Sequence, residues 1–193
     1  EKTLGMTDLP LLSEPNLQQQ LVEIGYQGKK LEELEGLSAT EKANMLFIVQ
    51  DPYTSYYDAK VVRDFVALTQ KLGFKPIILP FKPNGKAMHI KGFLARFSKT
   101  AKTQAEFLNR VAKLNVPLVG VDSAIVLSYR DEYKEALGDS RGDFHVLTAH
   151  EWLTNQLESN TLQSAVKNIA KSDRTFEWHL FPHCTESTFM PNS

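Results

Sequence analysis

The run Met45-Leu46-Phe47-Ile48-Val49 limits the possible folds of this chain more than any other stretch. Five apolar residues in succession, bounded by Asn44 and Gln50, suit a strand buried on both faces, because a half-exposed strand alternates apolar with polar residues. Such a strand belongs in a parallel sheet with helices above and below. The next residues agree. Val61, Val62, Phe65, Val66, Leu68 and Leu72 recur at helical spacing, Gly73 stops the helix, and a second apolar run, Phe74 to Pro80, begins at once. This is a βαβ unit, and the loop from Gln50 to Tyr57 falls at a strand's carboxyl end, where open α/β sheets place their ligands.

The pattern then repeats. Phe93 to Leu114 carries the periodicity of a long helix, and Val116 to Val121 reads as a third strand. Asp122 and Ser123 cap a helix that runs to Gly138, Phe144 to Leu147 reads as a fourth strand, and Trp152 lies on a further helix. Phe176 to Phe181 alternates as a fifth strand. The expected fold is therefore α/β: a doubly wound, mostly parallel, flavodoxin- or Rossmann-like sheet of about five strands with an N-terminal helical appendage. Residues 1–43 are expected to form an arm and short helices, one capped by Asn16 and stopped by Gly25. Residues 44–181 form the α/β domain, and residues 182–193 begin a further unit.

Charge and cysteine content narrow the function. Lys and Arg total 22 against 23 Asp and Glu, a net charge of -1, and the basic residues are scattered, which argues against nucleic acid. No apolar stretch is long enough to span a membrane and no signal peptide is evident, so the expected setting is cytoplasmic. A lone cysteine, Cys184, excludes an internal disulfide and any metal site made only of this chain's thiolates. The chain starts at Glu1 rather than Met and ends shortly after a chemically suggestive tetrad. A piece of a longer polypeptide is expected.

Candidate site residues sit past the strand ends: Asp51 and Tyr53 after the first, Asn84 and Lys86 after the second, Asp122 after the third. Gly85-Lys86 lacks the upstream glycine and following Ser or Thr of a phosphate loop. Arg141-Gly142-Asp143 reads as a turn. Arg130-Asp131-Glu132-Tyr133 reads as the solvated face of a helix. In His183-Cys184-Thr185-Glu186, imidazole, thiolate and carboxylate are all metal ligands, yet neighbouring strand-end side chains point apart, which favours an inert thiol.

Several collinear phrases carry a resemblance: Leu46 to Tyr56, Leu79 to Lys86, Val119 to Asp122 with Tyr129 to Tyr133, and His183 to Glu186. Together they resemble part of the C-terminal region of the large bacterial FAD-binding and iron-sulfur oxidoreductases of the D-2-hydroxyglutarate dehydrogenase type, which bear cysteine-rich repeats. The resemblance implies that Asp51, Asn84-Gly85 and Asp122 with Ile125 stand where a repeat of that kind has cysteines, so this repeat is degenerate. It also implies that Cys184 opens a second repeat, with His183 or Glu186 in support.

FAD and iron-sulfur clusters are then expected in the parent protein and none in this fragment alone, which carries no catalytic residues. The implied partners are the flavin and ferredoxin-like domains of the same polypeptide, and a small 2-hydroxy acid at the flavin domain. The alternative is a flavodoxin-like module that binds a small ligand or a protein.

Overall fold

The computed structural model describes residues 10–158 and Leu162. Four parallel strands, β1 (Met45–Val49), β2 (Lys75–Ile78), β3 (Leu118–Gly120) and β4 (Val146–Thr148), lie in the order β2-β1-β3-β4. The apolar run is the inner strand it promised to be, with all five residues buried. Among the described residues are nine α-helices, α1 (Leu17–Glu23), α2 (Ala39–Lys42), α3 (Pro52–Tyr56), α4 (Ala59–Lys71), α5 (Lys86–Ile90), α6 (Leu94–Ala112), α7 (Ser123–Arg130), α8 (Glu132–Leu137) and α9 (Ala149–Glu158), and two short 3-10 helices, Leu31–Leu34 and Gly138–Arg141.

Alternation along β1 divides the core in two. Met45, Phe47 and Val49 pack with Phe97, Leu108 and Val111 of α6 and with Val126 and Tyr129 of α7. Leu46 and Ile48 point the other way, into a cluster with Leu17 and Leu21 of α1, Val62, Phe65 and Val66 of α4, and Trp152 of α9. Helices on both faces of a parallel sheet make the fold doubly wound, as the sequence predicts. On the second face Trp152 meets Phe74 edge-on at 4.8 Å and Phe65 at 6.0 Å, so one indole joins α9 to the middle of α4 and to the entry into β2.

The helix stops have a physical basis. Gly73 adopts φ +87°, its N–H donates to the Gln70 carbonyl at 3.0 Å, and the Phe74 N–H reaches back to Thr69 at 3.0 Å. These two bonds close the last turn of α4 on free carbonyls and turn the chain straight into β2. The outer edge of β2 is covered by the segment after α1, where the Tyr26 hydroxyl accepts from the Ile78 N–H at 2.9 Å.

Three details differ from the sequence reading. Residues 50–57 are not a plain loop, because Asp51 caps and Pro52 opens α3, and past the second strand end a short helix, α5, follows Gly85. The single helix expected from Asp122 to Gly138 breaks at Asp131 into α7 and α8. Each strand other than β1 is shorter than its apolar run. The expected fifth strand, Phe176 to Phe181, lies outside the described residues, as do His183, Cys184 and Glu186.

Candidate functional site

The carboxyl ends of β1, β2 and β3 bring Asp51, Asn84 and Asp122 to one crest, as the topology requires. Asp51 is 2% exposed; its carboxylate accepts from the Thr54 N–H at 2.9 Å and from the Thr54 hydroxyl. Burial raises the pKa of this carboxyl above the usual range and nearby Asp122 adds to that, outweighing the Thr54 bonds, which lower it. Asp122 caps α7, accepting from the N–H groups of Ala124 at 2.8 Å and Ile125 at 3.3 Å. Both carboxylates therefore serve first as helix caps.

Asn84 is also buried. Its side-chain oxygen accepts from the Lys86 N–H at 3.0 Å, and its backbone carbonyl accepts from the Tyr133 hydroxyl at 2.6 Å. Tyr133 stacks edge-on against Tyr129 at 5.0 Å, and the Tyr129 hydroxyl receives a bond from Gln104 at 3.4 Å. Burial drives both phenol pKa values far up, so these hydroxyls remain neutral donors and acceptors. Asn84 Nδ2 and Gln104 Oε1 are buried without a hydrogen-bond partner among the described residues.

The segment Arg130 to Tyr133 is not a solvated face, and this corrects the sequence reading. Lys86 pairs with Glu132, with His89 Nδ1 at 3.8 Å from the same carboxylate. Burial opposes the charge on Glu132, but Lys86 prevails and its pKa is lowered. Arg130 grips Glu151 with two bonds of 2.9 and 2.6 Å and donates to the Val146 carbonyl at 2.8 Å. Glu151 also closes the start of α9 as a capping box: its carboxylate accepts from the Thr148 N–H at 2.7 Å and the Thr148 hydroxyl accepts from the Glu151 N–H at 3.3 Å. Burial works against its charge, yet the Arg130 and Thr148 bonds hold its pKa at about 2.

Sequence reasoning missed these ties because their partners are remote: Lys86 and Glu132 are 46 residues apart, Arg130 and Glu151 21. The 129/133 spacing of the two tyrosines on one helical face was the available signal that this stretch faces inward.

Tyr53 behaves differently, at 58% exposed, and with Tyr56 and Tyr57 it forms an open rim on α3. Beside the rim a cleft of about 860 Å³ runs between α1 with the segment after it and the ends of β1 and β2, lined by Leu17, Leu21, Tyr26, Tyr56, Ile78 and Leu79. Gln50 and Ser55 also line it, but they bond each other at 3.0 Å and Gln50 donates to the Leu79 carbonyl at 2.7 Å.

Over all 193 residues the chain is 82% identical to a protein of Haemophilus influenzae named D-2-hydroxyglutarate dehydrogenase, and 57% identical to one of that name from Escherichia coli. It covers 19% and 18% of those proteins. By sequence it is a homologue of one segment of the D-2-hydroxyglutarate dehydrogenases. A protein of the same name from Pseudomonas putida is 33% identical over 190 residues. The chain thus spans about a fifth of the length of the curated relatives it matches. No family model matches it, and no solved structure does.

The crest does not fit a thiolate-bound cluster. Asp51, Asn84, Asp122 and Ile125 occupy it, the chain's lone cysteine lies outside the described residues, and no metal-holding group of three or more His, Cys, Asp or Glu occurs among them. Nor does it offer a glycine-rich cradle for a dinucleotide. A Cβ added at Gly85 would stand 2.9 Å from the Phe97 ring, so that glycine serves packing at a left-handed cap. No described helix is long and apolar enough to cross a membrane.

Proposed function

We propose that this chain is the scaffold and interface segment of a 2-hydroxy acid dehydrogenase of the D-2-hydroxyglutarate type, working in the cytoplasm. The observation that carries the reading is 82% identity along the entire chain to a protein bearing that name. The crest supports the division of labour. Its carboxylates cap helices and its basic side chains are paired, so its groups stabilise a fold rather than present a base or nucleophile to a substrate.

In the whole protein, oxidation of the 2-hydroxy acid belongs to FAD, held by another domain of the polypeptide, and onward electron transfer to iron-sulfur clusters, to which this segment contributes at most part of one site. Removing a hydride equivalent from the substrate carbon is chemistry that a flavin supplies and these described residues do not. Cys184, with His183 or Glu186 beside it, is assigned to a cluster or metal site shared with cysteines elsewhere in the parent.

The test is to purify the full-length gene product, quantify flavin and iron, and add D-2-hydroxyglutarate anaerobically. Bleaching of the flavin band supports the reading; a flavin-free protein, or a band indifferent to the substrate, sinks it. Cys184→Ser in the same protein should lower iron per chain and electron transfer to an external acceptor. Unchanged iron and unchanged turnover would leave Cys184 an inert thiol.

A further inference from the structure

Exposed apolar side chains occur around this molecule: Ile90, Phe93 and Leu94 adjoin the α5–α6 turn, and others stand singly. Val22, Val61 and Leu68 are of this kind, and Lys60, Arg63 and Asp64 form ion pairs on the α4 surface beside Val61. Isolated apolar side chains on a surface need no partner. The rim at α3 is different because its members touch. Tyr53 stacks on Tyr57 with centroids 6.3 Å apart, and Tyr56 meets Phe81 edge-on at 5.2 Å. The arm carrying Leu11 and Leu12 is pinned against the same helix, where the Ser13 N–H donates to the Tyr56 carbonyl at 2.7 Å and the Ser13 hydroxyl accepts from the Ala59 N–H at 2.9 Å.

Leu12 and Tyr56 share one wall of a hollow, and Tyr56 is also a wall of the larger cleft beside β2. Tyr56 thus links the aromatic rim to a groove whose floor is apolar. Tyrosine in such a setting offers a large contact area with few torsions to freeze, as in protein interfaces.

We infer that the tyrosine rim and the adjoining cleft are a docking surface for another stretch of the same polypeptide. The inference rests on the reading above that this chain is a segment of a longer dehydrogenase. Its occupant follows from length: the chain covers 19% of its relative, so in a protein of that size about four-fifths of the polypeptide lies elsewhere. A tethered partner needs little area to stay bound, since the tether raises its effective concentration to about the millimolar range. The cleft fits an apolar stretch with an acidic flank, because Leu17, Leu21, Ile78 and Leu79 floor it and Lys29 and Lys30 outnumber Glu32 at its edge.

The test uses the full-length protein with the photo-reactive residue p-benzoylphenylalanine in place of Tyr53, and at Leu68 on the outer face of α4 as a control. Irradiation should join position 53 to a peptide outside these 193 residues but within the same molecule, several-fold more efficiently than position 68. A covalent dimer, a link to a separate protein, or a yield no better than the control would overturn the proposal. Hydroxyl-radical footprinting of the unmodified full-length protein is the second measurement. Tyr53 and Tyr57 should be labelled as slowly as buried Tyr133, and rapid labelling would overturn the proposal. Oxidation of D-2-hydroxyglutarate is assayed in the same preparations. An inactive protein with the internal cross-link would refute the dehydrogenase reading and leave the docking surface standing, and an active protein without it would do the reverse.

Discussion

Two halves of the crest, side by side at the carboxyl ends of the strands, are built on opposite terms. Around Asp51, Asn84 and Tyr133 the groups are buried and most are bonded to one another, while on α3 the rings of Tyr53, Tyr56 and Tyr57 lie open. The same helix supplies both. Asp51 at its start faces inward and binds Thr54, and the outward positions one turn later carry aromatic rings. Buried polar groups tied together fix a geometry, whereas exposed rings raise the free energy of the surface until something covers them. The crest therefore separates what holds this segment in shape from what it offers to a neighbour.

Breaking the closed half should cost most. Arg130→Ala strands the partly buried Glu151 carboxylate and frees the Val146 carbonyl, and should lower the urea unfolding free energy by about 3 kcal/mol. The same pair gives an acid limb. The Glu151 pKa falls from 4.5 to about 2 on folding, so the stability it confers is complete above about pH 4.5 and disappears as the pH falls through 2. Glu151→Gln should flatten that limb in pH-dependent unfolding. Next in size is Gly120→Ala, whose new Cβ would stand 2.4 Å from Val126 Cγ2 and push α7 off β3, at about 1–3 kcal/mol in the same assay. Tyr133→Phe removes only the bond to the Asn84 carbonyl and should cost about 1 kcal/mol. In the open half, Tyr53→Ser and Tyr57→Ser should each change the stability of this chain by no more than about 0.5 kcal/mol. A rim substitution as costly as Arg130→Ala would erase the distinction.

The fold was readable where its cause is local. An unbroken apolar run, a 3.6-residue period and a left-handed glycine stop each lie within one stretch of chain, which is why β1, α4, α6 and the placement of Asp51, Asn84 and Asp122 on one crest could be foreseen. The roles of those residues could not. Whether Glu132 is solvated or bound to Lys86 depends on how two crossovers bring distant segments together, and periodicity carries no information about that. Charge density misled for the same reason: Arg130 and Glu132 look like surface residues until the β4–α9 turn and the α5 turn close over them. The short helices α3 and α5 were hidden because five residues give no period, although Asp51-Pro52 is a cap signal.

We propose that the crest carboxylates shape this segment and take no part in chemistry. The full-length protein carrying both Asp51→Asn and Asp122→Asn tests it most directly, with D-2-hydroxyglutarate oxidation followed at saturating and limiting substrate and the folded fraction measured alongside. Amides can still accept the N–H bonds that cap α3 and α7, so kcat and KM of the folded protein should stay within about twofold of the parent. A loss in kcat of about a hundredfold or more in fully folded protein, the size expected for a missing general acid or base, would contradict the claim and make the crest part of an active site.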